Sequence, residues 1–247
     1  ATLLTEERVR HCVDCAPRRL GGAGLNFVGV SLDGPRDIHN EIRGGKDAFE
    51  KSATGIRMLN EIRRASNKQC PIVHVTSVVQ VKNVDVLHHM PQVVREVGAD
   101  ILNLTLEIRN QDLPGLGRAT PDNYLADQIA YPKIDPKRLA DALTKTRQTA
   151  QTLGIELRTP DMPDAEIVNY YDRRMDLAQF RCGSLWTNIV VASKGDVYAC
   201  WLKRLGNVRE NSVAQLWNNP DMRAFRCRTR KSLYAPCAGC CFQVFHK

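Results

Sequence analysis

No apolar run in the 247 residues approaches the roughly 20 residues of a membrane-spanning helix, so no membrane partner is expected. The N-terminus lacks the basic-then-apolar pattern of a secretion signal. Without that signal, disulfides are a poor account of the cysteines, and a reducing cytoplasm is the expected setting. There are no internal repeats and no low-complexity tracts, which removes the solenoid and linker classes. Acidic residues are the minority, 27 Asp and Glu against 35 Lys and Arg, giving a net charge of +8. Most of that excess reads as an ordinary solvated surface.

The chain does have a 43% hydrophobic content, enough for a real core, and a length that suits one large or two modest domains. It also has nine cysteines, an odd number, five of them after residue 199. Four form a pattern. Cys182, Gly195 and Cys200 are spaced C-x12-G-x4-C, and Cys237 and Cys240 follow as C-x2-C. A hairpin and a tight turn that gather four thiolates make a soft site. Such a site suits an iron–sulfur cluster or zinc, and spacing alone leaves both open. Cys12, Cys15 and Cys70 read as small buried hydrophobes.

Helices and strands alternate along most of the chain. Thr5 caps a helix that carries Val9, Cys12, Val13 and Ala16 at helical spacing. Asn26–Asp33, Pro71–Val79 and Asp100–Glu107 read as strands. Asp47–Ala65, Asp85–Val97 and Pro136–Leu153 read as helices, with Pro91 kinking the second or marking its true first turn. This alternation predicts a parallel sheet with crossover helices. Within the strands, Phe27, Gly29, Ser31 and Asp33 share a face, as do His74 and Thr76, and Asn103, Thr105 and Glu107. The opposite faces are apolar. One greasy face and one turning polar toward the strand ends predict a full or partial barrel with a ligand site at its mouth. Gln111–Lys133, with its prolines and glycines, reads as a long loop. Composition changes near residue 175, giving domains over 1–174 and 175–247. In the second, Thr187–Ala192 and Val197–Cys200 read as a hairpin and Val213–Trp217 as a short helix.

Lys203–Lys231 holds eight Lys and Arg against Glu210 and Asp221. This stretch either meets an acidic peptide or nucleic acid, or offsets the charge of a thiolate-bound cluster.

Ser31-Leu32-Asp33-Gly34-Pro35, then His39 and Arg43-Gly44, resembles the fourth-strand region of radical SAM enzymes of the sulfatase-maturase and peptide-maturase type. The cysteine hairpin, Gly206-Asn207-Val208, Leu216-Trp217-Asn218 and the last C-x2-C resemble their SPASM or twitch domain. The resemblance covers nearly the whole chain. It implies an α/β fold: the C-terminal half of a partial (β/α)6 TIM-like barrel, strands four to six, then a small cysteine-rich domain with a hairpin. It also implies a 4Fe–4S auxiliary cluster on Cys182, Cys200, Cys237 and Cys240. S-adenosylmethionine would meet Ser31, Asp33, Arg43, Thr76 and Asn103. The implied chemistry is hydrogen abstraction by a 5′-deoxyadenosyl radical from a peptide or protein side chain. Flavodoxin or ferredoxin would donate the electrons.

The C-x3-C-x2-C motif for the catalytic cluster is absent, since Cys12–Cys15 is only C-x2-C. The resemblance therefore implies an N-terminally truncated chain, with the first three strands missing and no activity of its own. A non-catalytic iron–sulfur or zinc module is the rival reading. A radical enzyme acting on RNA or a small molecule is a third.

Overall fold

A computed structural model of the chain describes residues 4–108, 132–200 and 202–246. The loop read over Gln111–Lys133 lies outside them, apart from its last two residues. The chain divides into two units: Ala1–Thr105 with Ile134–Thr159, and Leu106–Lys133 with Pro160–Lys247. This division falls earlier than the 174/175 boundary read from composition. The helix after Pro163 packs with the second unit, which a change in residue usage does not register.

The first unit is built on a parallel sheet in the order β1 (Phe27–Ser31), β2 (Ile72–Val79), β3 (Ile101–Leu106), β4 (Glu156–Arg158). Each helix has a local cause. Thr5 Oγ1 accepts from the Arg8 amide at the start of α1 (Glu6–Asp14), and Glu6 and Glu7 fill its first turn. α2 (Arg36–Arg43) ends at Gly44, whose φ of 66° is left-handed. α3 (Ala48–Ala65) buries Ala53, Ile56 and Leu59 on one face, with Phe49 and Ile62 half-buried. The helix read over Asp85–Val97 is a 3-10 turn, Val84–His89, followed by α4 (Met90–Val97). Pro91 sits in the first turn of α4, where its missing N–H costs nothing. α5 (Pro136–Leu153) is capped by Asp135, which accepts from the Arg138 amide at 2.8 Å.

Alternation holds in β2 and β3. Val73, Val75 and Val79 are buried, while His74 and Thr76 are half-buried; Leu102, Leu104 and Leu106 are buried, while Asn103 and Thr105 are half-buried. α2 and β4 were not expected. Arg36–Arg43 carries only Ile38 and Ile42 as apolar side chains, and three residues of strand carry too little pattern to see.

In the second unit, β6 (Val190–Val191), β7 (Asp196–Cys200) and β8 (Lys203–Asn207) form a three-stranded antiparallel sheet, so the expected hairpin gains a strand. β5 (Phe180–Cys182) pairs antiparallel with β9 (Gln243–Phe245). α6 (Asp164–Tyr171), α7 (Val213–Trp217) and α8 (Pro220–Lys231) also belong to the unit. Its core gathers Leu185, Val197, Ala199, Leu202, Leu205, Leu216, Met222, Phe225 and Tyr234.

Candidate functional site

The four cysteines come from separate elements. Cys182 ends β5, Cys200 ends β7, Cys237 ends a 3-10 turn, Ala235–Cys237, and Cys240 follows in a tight turn. Two glycines make this possible. Gly195, at φ +88°, turns the β6–β7 hairpin, and Gly239, at φ +74°, turns the chain between Cys237 and Cys240. A Cβ on Gly239 would lie 2.5 Å from the Tyr170 ring. Asn207 locks the hairpin, its Nδ2 donating to the Lys194 carbonyl and the Asp196 carboxylate, each at 3.2 Å.

Cys182, Cys200 and Cys237 all pack, half-buried, against the core of this unit. All four thiols are free of disulfides. Burial pushes the Cys200 thiol up to about 11, with Cys182 adding to the effect. Burial pushes Cys237 up to about 12, with Cys200 and Cys182 adding to it. Cys240 is raised and Cys241 lowered by the hydrogen bond between the two thiols. The Leu202 amide already donates to Cys200 Sγ at 3.4 Å. Among the described residues, no three His, Cys, Asp or Glu side chains stand close enough together to hold a metal ion. In chemistry, though not in spacing, four thiols suit a soft cation. Buried thiols that disfavour one another's ionised form are what a cation relieves, because binding it removes their protons.

The expected cofactor residues lie in the first unit. Ser31 is exposed at the end of β1, directly across the ladder from Thr76. Asn103 pairs in register with Arg158 of β4. Asp33 is 1% exposed and fully engaged. Its Oδ1 accepts from the Val78 amide at 3.0 Å, and its Oδ2 pairs with Arg43 at 2.7 Å. Neither Glu41 nor Asp47 takes that arginine; they pair with Lys82 and Lys51. His39, 2% exposed, accepts from the Asp33 amide through Nδ1, and burial lowers its pKa. Asn83, which the sequence reading did not single out, donates to the Asp33 and Val78 carbonyls at 2.7 and 2.8 Å. An Asn two residues before an Asp offers no spacing signal for a contact fifty residues away.

The basic stretch is only partly free. Arg226 donates to the carbonyls of Leu185 and Trp217 and stacks on the Trp217 ring at 4.5 Å. Arg228 bonds Ser232 and lies over Tyr234 at 4.9 Å. Arg230 and Lys231, with Arg181 and His246, line a cavity of about 660 Å³ beside Cys182. Among the described residues no acidic one lines it, and Trp186 stands at its wall, 45% exposed.

Residues 182–241 match the family model of SPASM, an iron–sulfur cluster-binding domain. That segment resembles a SPASM domain. It contains all four cysteines of the spacing. The chain is similar in fold to native anSMEcpe with bound AdoMet, at a TM-score of 0.55 and 17% identity over 91% of this chain and 56% of that one. It is similar to native anSMEcpe with bound AdoMet and Cp18Cys peptide, at 0.56 and 17% over 91% and 57%. It is also similar to Streptococcus suis SuiB bound to S-adenosylmethionine, at 0.52 and 12% over 80% and 44%. The chain thus spans about half the length of these proteins. No curated protein matches the sequence. The expected α/β fold, a parallel sheet with crossover helices followed by a small cysteine-rich unit with a hairpin, agrees with these likenesses. No described helix is long and apolar enough to cross a membrane.

Proposed function

We propose that the chain is part of a radical SAM enzyme that modifies a peptide or protein side chain, and that Cys182, Cys200, Cys237 and Cys240 hold its auxiliary 4Fe–4S cluster. The observation that carries this reading is the packing of three of those thiols on one core within the SPASM segment. Iron–sulfur is favoured over zinc because the matched domain is an iron–sulfur one. Bound S-adenosylmethionine, with a reduced catalytic cluster, would supply hydrogen-atom abstraction. The 247 residues contain no C-x3-C-x2-C, so the auxiliary site is what they contribute.

The chain's own residues orient. The Ser31 and Thr76 hydroxyls and the Asn103 carboxamide offer neutral hydrogen bonds from the polar face of the sheet. Arg43 offers a carboxylate-matching fork, and buried Asp33 sets its direction. The cavity with Arg181, Arg230, Lys231 and His246 suits an acidic peptide segment, in line with anSMEcpe having been seen with bound peptide. A flavodoxin or ferredoxin as electron donor and a cytoplasmic setting complete the reading.

Anaerobic reconstitution followed by iron, sulfide and zinc analysis tests it. About four irons and four sulfides per chain, as one 4Fe–4S cluster requires, lost in Cys182→Ala and Cys237→Ala, is the expected result. One zinc and no iron would move the chain to the class of structural modules.

A further inference from the structure

We infer that Gln243 is a positioning residue of the cluster site, its carboxamide N–H donating to a sulfur there and raising the reduction potential. The inference rests on the iron–sulfur reading of the four cysteines. Three observations meet at this side chain. Gln243 is 4% exposed, yet neither its Nε2 nor its Oε1 has a hydrogen-bond partner among the described residues. A buried carboxamide left unpaired destabilises the fold, so its retention calls for a partner outside the protein chain. Gln243 also faces Cys182 directly in the β5–β9 ladder, and residues directly opposite in an antiparallel pair project from the same face of the sheet. Finally, its amide donates to the Cys240 carbonyl at 3.1 Å. Gln243 is thereby tied to one expected ligand by a ladder and to another by a turn.

The chemistry follows from charge. Reduction adds an electron to a thiolate-bound cluster, so an N–H aimed at its sulfur stabilises the reduced state more than the oxidised one. Glutamine offers that donor without bringing a charge of its own.

The test is a redox titration of the reconstituted full chain, monitored by EPR, with metal content measured first. Wild type holding zinc alone would overturn the cluster reading itself, before any variant is compared. In an iron-loaded wild type, Gln243→Leu is expected to lower the reduced-to-oxidised ratio at a fixed potential about tenfold. For a one-electron couple that is about 59 mV more negative. Gln243→Glu keeps the shape and replaces the donor with a carboxylate, and it should shift the potential the same way or further. If Gln243→Leu fails to assemble a cluster, Gln243→Glu decides alone. A potential unchanged in an iron-loaded variant overturns the inference.

Discussion

At Gly239 the backbone is left-handed, at φ +74°, and an added Cβ would meet the Tyr170 ring and hydroxyl at 2.5–2.8 Å. Gly239→Ala therefore combines backbone strain with an overpacked contact, and about 2–4 kcal/mol of stability should be lost. Urea unfolding measures it, and a loss below about 0.5 kcal/mol would remove the contact from the account. His39 gives a second prediction. Burial lowers its pKa from the ordinary 6.5, and its Nδ1 is already accepting from Asp33. Because the folded state holds the neutral ring, the unfolded chain binds the extra proton first. The stabilisation is whole above pH 6.5 and declines as pH falls toward the lowered folded value. Melting temperatures should drop between pH 7.5 and pH 5, and His39→Gln should flatten that dependence. An unchanged slope would assign it to other groups. The sequence motif pointed to Asp33 and Arg43 as ligand contacts. Their pairing with each other, and the bonds from Val78 and Asn83, needed the strands brought side by side.

Helix α8 shows how a charge run divides once it is folded. Arg226 is built into the unit by two carbonyl bonds and a ring, while Arg230 and Lys231 face the cavity beside Cys182. Arg226→Ala should cost about 2–3 kcal/mol, because the Leu185 and Trp217 carbonyls lose their donor. Arg226→Lys should not rescue it, since one ammonium does not span both sites. Thermal unfolding of the two variants checks this. Arg230→Glu with Lys231→Glu should leave stability within about 0.5 kcal/mol and weaken binding of a fluorescein-labelled peptide of alternating Glu and Leu at least tenfold by anisotropy. Undiminished binding would exclude the cavity as the peptide site. Composition showed the charge but not the division, because residues 226 and 230 differ only in what the folded neighbours present. The same limit explains α8 itself. Its apolar positions, Met222 and Phe225, are too few among the arginines to read as a stripe. The helices α3 and α5, long and strongly patterned, were plain.

For the whole molecule, the described sheet has β1 at one edge, with Phe27 57% exposed and Gly29 and Ser31 open to solvent. An uncovered parallel edge with an apolar residue on it invites pairing. Sizing chromatography should show association that grows with concentration and is weakened by Phe27→Lys; a monomer at all concentrations would count against it. A different consequence lies in the β5–β9 ladder. Phe180 faces Phe245 across it, the rings 5.3 Å apart, so the two ends of the cysteine-bearing segment are held side by side. A piece of chain whose entry and exit coincide can be lifted out and set into a surface loop of another fold without stretching its host. Lengthening it between the strands costs little as well, since doubling a closed loop adds only about 0.6 kcal/mol. The paired ends thereby let the segment vary in length between the strands while its clasp stays the same.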